Sequence, residues 1–313
     1  MAKEEKFTFL SADGKTTIHA VKWIPEDGKY EAILQITHGM IEFVERYRLF
    51  AEFLTENGFM VVGHDHLGHG DSVASKDDWG YFAENPSDTV IADMHALRTM
   101  IQKENPGVPY FMMGHSMGSY MLRKYLTIHN DDLRGAIIMG TGYYSVPIAV
   151  FGKVLTQAVA AVKGWRYRSA LVNKLAFGSY NKGFAPARTD FDWLSRDEAT
   201  VDAYVGEPRC QFIFTLNAYH EMFKGLEFIA KKSNLKKMPK QLPVLFVSGG
   251  EDPVGNSGQG VQKAYDMFVL AGMDNMDITF YEGARHEILN ETNRQEVYDD
   301  LYDWLNKEIS LKR

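Results

Sequence analysis

The feature that most constrains this chain is a repeating alternation of short apolar runs with amphipathic stretches. Residues 32–37 are an apolar run, and 47–57 follow with helical spacing at Leu49, Phe50, Phe53 and Leu54 before stopping at Gly58, a C-cap signal. The pattern recurs. Apolar runs fall at 59–63, 109–113, 133–140, 242–248 and 277–281, and helical spacing at 89–101, 116–128, 261–270 and 293–309. Ahead of it, residues 6–10 and 17–23 alternate around Ala12-Asp13-Gly14-Lys15, which predicts a hairpin. Strands alternating with helices predict βαβ units and a mostly parallel sheet with helices on both faces. The strands read as apolar on both sides, as such a sheet requires.

The rhythm breaks between Gly140 and Leu242, roughly 100 residues apart, although a one-helix crossover needs only about 30. The surplus has helical spacing at 148–162, 169–175 and 210–224. We read residues 143–232 as a helical cap inserted after the sixth strand, and 1–142 with 233–313 as the core. The chain of 313 residues is long enough to bury a core without staples. Its single cysteine, Cys210, cannot form an internal disulfide or a cysteine-based zinc site. With a net charge of −7 the chain lacks the basic surface that nucleic acid needs. The start, Met1-Ala2-Lys3-Glu4-Glu5-Lys6, has no apolar run behind it, and residues 147–162 read as too short to span a bilayer. The expectation is a cytoplasmic protein.

Gly114-His115-Ser116-Met117-Gly118 is a Gly-x-Ser-x-Gly turn between an apolar strand and a helix, the context in which a serine nucleophile is presented. A serine hydroxyl needs a base, and the base needs an orienting acid. Of ten histidines, His286 lies between the last strand and the last helix, at the sheet edge where ligands of open α/β sheets bind. His64, His66 and His69 share an earlier segment but lack carboxylates at ligand spacing, so no metal is expected there. His115 flanks the nucleophile and points elsewhere. His19, His95, His129 and His220 fall on strand or helix bodies. The acid belongs in Gly250-Glu251-Asp252-Pro253-Val254, where Glu251 and Asp252 are both available. Two backbone donors must meet the oxyanion. One is the Met117 N–H, and the other the Met40 N–H in His38-Gly39-Met40, where Gly39 permits a tight turn.

These residues carry a resemblance. The chain resembles the α/β-hydrolase superfamily, and within it the monoacylglycerol lipase and lysophospholipase group. Besides the serine turn it has His38-Gly39-Met40 with Glu42, and Asp65-His66-Leu67-Gly68-His69-Gly70-Asp71-Ser72, which matches the group's Asp-x-x-Gly-His-Gly-x-Ser. The third shared feature is Gly250-Glu251-Asp252-Pro253-Val254. The resemblance implies carboxyl-ester hydrolysis without a cofactor. Ser116 would be nucleophile, His286 base and Asp252 orienter, in the chain order of that superfamily, with Met40 and Met117 amides as oxyanion hole. Serine at the turn disfavours the dehalogenase and epoxide-hydrolase relatives, which place aspartate there. The leading substrate is a monoacylglycerol or lysophospholipid. A short-chain or aromatic-ester esterase, a thioesterase, a small-amide peptidase and a non-catalytic hydrolase-fold binding protein are the alternatives.

The cap bears on substrate. Residues 149–189 hold seven Lys or Arg and no Asp or Glu, beside an apolar stripe of Val150, Phe151, Val154, Leu155, Val159 and Val162. Such a segment can rest on a lipid surface, or bury its stripe against the sheet. The aromatic stretches Tyr180–Phe184 and 191–195 can line an acyl pocket or form a cap core.

Overall fold

A computed structural model describes residues 2–84, 88–129 and 132–311 of the protein. Met1 and Arg313, the outer ends of the core as divided above, lie outside them. Eight strands form one sheet: β1 (Ala2–Leu10), β2 (Thr17–Pro25), β3 (Ala32–Thr37), β4 (Phe59–His64), β5 (Tyr110–His115), β6 (Gly135–Met139), β7 (Val244–Gly249) and β8 (Met276–Tyr281). Their order is β1-β2-β4-β3-β5-β6-β7-β8. Only β2 is antiparallel to its neighbours, and β4 through β8 pair in parallel.

Every residue of β3 through β7 is buried, because helices cover both faces. One face carries α1 (Arg48–Glu56), with Phe50 and Leu54 turned inward. The last helix, over 294–310, covers the same face with Val297, Leu301, Trp304 and Leu305. The other face packs under α2 (Thr89–Glu104), α3 (Met117–Tyr125) and the helix at 259–270. The hairpin arms are longer than the alternation predicts. The charged residues Lys3, Glu4, Glu5 and Lys6 disguise the start of β1, a sheet edge where charge discourages further pairing.

Between β6 and β7 lie α4 (Val146–Lys163), α5 (Ala170–Phe177), α6 (Glu198–Gly206), α7 (Leu216–Ile229) and α8 (Lys232–Leu235), so that the two helices already mentioned are α9 (Gln259–Leu270) and α10 (Arg294–Ser310). The stretch expected as a helix from 210 begins instead at Leu216. Thr215 stops it there, its hydroxyl accepting from the Ala218 N–H as an N-cap. The short helices α6 and α8 carry too little apolar periodicity to be read in advance.

α4 leaves part of its apolar stripe uncovered. Its small residues Ala149, Gly152, Thr156 and Ala160 form the buried face, packed toward α7, while Ile148, Phe151, Val154 and Val162 are exposed. With 18 residues it is, by length and composition, long and apolar enough to cross a membrane, longer than the sequence pattern suggested. Lys153 at its middle pairs with Glu227 of α7.

Candidate active site

The turn after β5 is tight by construction. Ser116 has φ +51° and ψ −119°, a conformation that costs of order 1–3 kcal/mol and persists only where its surroundings impose it. They do so through hydrogen bonds. The Ser116 N–H donates to Met139 O at 3.0 Å, and its carbonyl accepts from Ser119 N and from Ser119 Oγ at 2.9 and 2.6 Å. A β-carbon at position 114 would lie 2.4 Å from Gly118 O, and one at 118 would lie 2.1 Å from Thr37 O. The glycines therefore let β5, α3 and the end of β3 approach closely enough to lift Ser116 off the sheet edge.

His286 follows β8 and Asp252 follows β7, and the two meet. His286 Nδ1 lies 2.9 Å from Asp252 Oδ2, with both residues buried. A carboxylate only accepts, so in the neutral ring Nδ1 carries the proton and Nε2 keeps its lone pair. Asp252 is held in turn by the Val254 N–H at 2.9 Å and by Ser248 Oγ at 3.3 Å. The rival Glu251 is exposed. Ser116 and His286 line one cavity of about 980 Å3.

The loop after β3 is clamped from two sides. The His66 N–H donates to His38 Nε2 at 2.9 Å, so His38 carries its proton on Nδ1 and donates to Gly39 O at 2.8 Å. His66 Nε2 faces the His38 carbonyl at 3.2 Å and must be the donor there. On the other side the Glu42 carboxylate accepts from the Gly39 N–H, from Tyr47 Oη at 2.9 Å and from Arg46 Nη1 at 2.9 Å. The loop presents Met40 beside Ser116 in the cavity wall. Met117 opens α3, and its N–H is one of the first amides that a helix leaves without an internal acceptor.

A second chamber of about 270 Å3 also reaches Ser116 and Met40. Its walls are apolar, with Ile148, Leu155, Leu175, Met222, Phe223 and Leu226 from the inserted helices. The larger chamber has a polar rim that includes Lys76, Asp77, Lys174 and Asp190. Of the aromatic stretches, Tyr180 and Trp193 line the apolar chamber and also pack against each other, centroids 4.9 Å apart and tilted by 59°.

Residues 28–293 match the Hydrolase_4 family model, described as serine aminopeptidase, S33. The chain belongs to this family of α/β-hydrolases. It is 26% identical to the monoglyceride lipase of Homo sapiens, over 97% of this chain and 89% of that protein. Among solved structures, a thermostable carboxyl esterase from Bacillus coagulans in complex with glycerol superposes with a TM-score of 0.91 at 28% identity, covering 98% of this chain and 99% of that one. A soluble variant of the Saccharomyces cerevisiae monoglyceride lipase, in complex with a substrate analog, superposes with a TM-score of 0.77 at 18% identity, covering 98% and 96%.

Around the candidate site of this hydrolase lies a buried polar network that the residue pattern does not disclose. His115, turned away from Ser116, places Nδ1 3.1 Å from Glu42 and Nε2 3.3 Å from the His286 carbonyl. Arg46 forms two hydrogen bonds of 2.7 Å to Glu287. Burial opposes the charge on His115, but its hydrogen bond to Glu42 and that carboxylate's charge outweigh it and raise its pKa. Burial likewise opposes ionisation of Glu42, yet the hydrogen bond and charge of His115 and the charge of Arg46 hold its carboxyl far below the usual range. Removing one member would leave an uncompensated buried charge.

His38, His64, His66 and His69 are all fully buried. Their rings touch, with centroids 4.1 Å apart for His38 and His66 and 4.9 Å for His64 and His66. Neither ring nitrogen of His64 has a hydrogen-bond partner among the described residues, and burial lowers its pKa to about 3. An unfolded imidazole titrates near 6.5. The unfolded chain thus binds the extra proton between about pH 6.5 and 3, and stability falls as pH drops through that window. His64→Met is therefore expected to lose about 2 kcal/mol less stability than the parent between pH 7 and pH 5. Urea unfolding at both pH values measures this, and equal losses would contradict it.

The histidine cluster is not where metal-ligand atoms converge. Among the described residues that happens at His19, Glu45, Asp65 and Asp71, whose ligand atoms lie within 4.8 Å of one another. The three carboxylates are already engaged. Lys6 and Arg209 pair with Glu45, Arg209 reaches Asp71 at 3.4 Å, and Asp65 accepts from the Val44 and Asp71 amides at 2.8 Å each. None of the four lines either chamber at Ser116.

Proposed function

We propose that the protein is a serine carboxylesterase that hydrolyses lipid-type esters, monoacylglycerols or lysophospholipids, through Ser116, His286 and Asp252. The observation that carries this reading is the pair of chambers meeting at Ser116, one smaller and apolar, the other large and polar-rimmed. An ester of a fatty acid and a polar alcohol has the same division. His286 Nε2 takes the Ser116 proton as Oγ bonds to the ester carbonyl carbon. The Met40 and Met117 amides receive the oxyanion. His286 then gives its proton to the departing alcohol, leaving an acyl-enzyme. Water, deprotonated by His286, adds to the acyl carbon. Collapse of that second intermediate breaks the bond to Oγ, which regains the proton, and releases the acid.

A panel of glyceryl, lysophosphatidyl, nitrophenyl and thio esters with graded acyl length tests the reading. Each methylene placed in the apolar chamber contributes about 0.8 kcal/mol, so kcat/KM is expected to rise about fourfold per CH2 until the chamber is full. A second reading, a short-chain or aromatic-ester esterase, is favoured by the 28% identity to the Bacillus coagulans carboxyl esterase. A profile that peaks at acetate or propionate would select it over the first.

The exposed face of α4 supports contact with a lipid surface. Its basic neighbours are mostly engaged within the protein. Lys153 pairs with Glu227, Arg166 with Asp78 at 2.8 Å and Arg188 with Asp202 at 2.5 Å, while Arg168 donates to three backbone carbonyls. Apolar burial rather than charge then drives the contact, and cosedimentation with phosphatidylcholine vesicles is expected to depend little on salt. The double change Val154→Ser with Val162→Ser is expected to weaken it more than tenfold. Binding that vanishes in salt, or survives the double change, would contradict this.

A further inference from the structure

The segment between α5 and α6 is attached to the loop that carries His286. The His286 N–H donates to Trp193 O at 3.4 Å, and the Glu287 N–H donates to Leu194 O at 2.7 Å. Arg285 Nη1 reaches Asp192 O at 2.5 Å and Ser195 O at 3.2 Å. One residue further, Arg196 binds the fully buried Glu291 through its N–H at 3.0 Å and its Nε at 2.9 Å, while the Arg285 N–H takes the same carboxylate at 2.9 Å. The inserted helices are thus bolted to the turn after β8 by backbone and by buried charge.

Within this seam one side chain touches the imidazole itself. The Trp193 ring lies 5.1 Å from that of His286, tilted by 41°. His115 lies 4.7 Å away, tilted by 42°. Asp252 holds Nδ1. The hydrogen bond to Asp252 fixes one atom of the ring but leaves rotation about that contact, and ring packing is what resists it. Trp193 itself is 9% exposed and held in place, its backbone N–H donating to Asn181 Oδ1 at 2.9 Å and its ring packed on Tyr180 at a tilt of 59°. It also lines both chambers at Ser116.

We propose that Trp193 is a positioning residue for the His286 imidazole, so that the inserted helices set the orientation of the base as well as the shape of the pocket. The proposal rests on His286 being the base of the reaction above. Aromatic rings suit this task because they offer a large rigid contact surface with only two rotatable bonds. Transfer of the Ser116 proton depends on Nε2 pointing at the hydroxyl, and a misplacement of about 1 Å in such a group can cost about 10²-fold.

A residue that only walls the pocket changes KM and the acyl-length profile, whereas one that aims the base changes kcat for every ester alike. The experiment measures kcat and KM for nitrophenyl butyrate and nitrophenyl decanoate in the parent, Trp193→Leu and Trp193→Phe. The leucine variant is expected to lose about ten- to a hundredfold in kcat on both esters alike, beyond any change in KM from its place in the chamber walls, and phenylalanine to restore most of the kcat. The low-field proton resonance of the His286 Nδ1–H is followed in the same samples. It is expected to stay sharp with phenylalanine and to broaden with leucine. Parent-like kcat, a loss confined to one ester, or an equally sharp resonance in the leucine variant overturns the proposal. Should the leucine chain fail to fold, Trp193→Met takes its place in the same comparison. His286→Ala separates the two levels. If that variant turns over like the parent, the base assignment itself fails, and if it is inactive while Trp193→Leu is not, only the role of Trp193 falls.

Discussion

Replacing Ser116 with alanine is expected to lower kcat for nitrophenyl esters by about 10⁶-fold, the scale seen when a serine hydrolase loses its nucleophile. The physical reason is local. Ser116 sits at the apex of a strained turn, with φ +51°, held by the close approach of Gly114 and Gly118 to their neighbours. Alanine keeps the backbone, its hydrogen bonds and the β-carbon, and removes only the oxygen. The fold is therefore expected to survive, with an unchanged circular dichroism spectrum and a melting temperature at or above that of the parent. What remains is the acceleration that binding and oxyanion donors give to water, about 10³–10⁴ over the uncatalysed rate. Parent-like turnover in a folded Ser116→Ala protein would show that the reaction runs elsewhere.

Asp252→Asn is the second large effect, expected at about 10⁴-fold in kcat with little change in KM. The carboxylate can only accept from His286 Nδ1, which leaves Nε2 free to take a proton. An asparagine amide can turn its NH2 toward the ring while its oxygen still accepts from the Val254 N–H, as Asp252 does now at 2.9 Å. The imidazole would then be held with Nδ1 as acceptor and the proton on Nε2, the wrong tautomer for a base. The change is nearly isosteric and fully buried, so a loss of this size without loss of fold points to the tautomer. A drop of less than about tenfold would show that Asp252 does not orient the base.

The candidate site was more legible in the residues than the scaffold around it. Each of Ser116, Asp252 and His286 follows an apolar run, and the glycines around Ser116 mark its turn, whereas the choice of Asp252 over Glu251 rests on the family resemblance. Partners brought in from far along the chain leave no such trace. Arg46 and Glu287 are 241 positions apart, and nothing local to either says that they meet. The same holds for His66 supporting the His38 carbonyl and for Trp193 against His286. In both cases the sequence shows a motif or an aromatic cluster, and only the packing shows what it touches. α4 illustrates a different limit. Periodicity reveals a stripe of large apolar residues but not which way it faces. Here the close approach to α7 admits only Ala149, Gly152, Thr156 and Ala160, leaving Phe151, Val154 and Val162 outward. For the same reason the basic residues of this segment, conspicuous as a cluster, are mostly spent on internal partners.

Treatment of the intact protein with a fluorophosphonate, followed by peptide mass mapping, probes the central assignment most directly. A single adduct on Ser116 is expected, forming at least a thousandfold more slowly in the His286→Ala variant. An adduct on another residue, or labelling of Ser116 at an undiminished rate without the imidazole, would contradict the account.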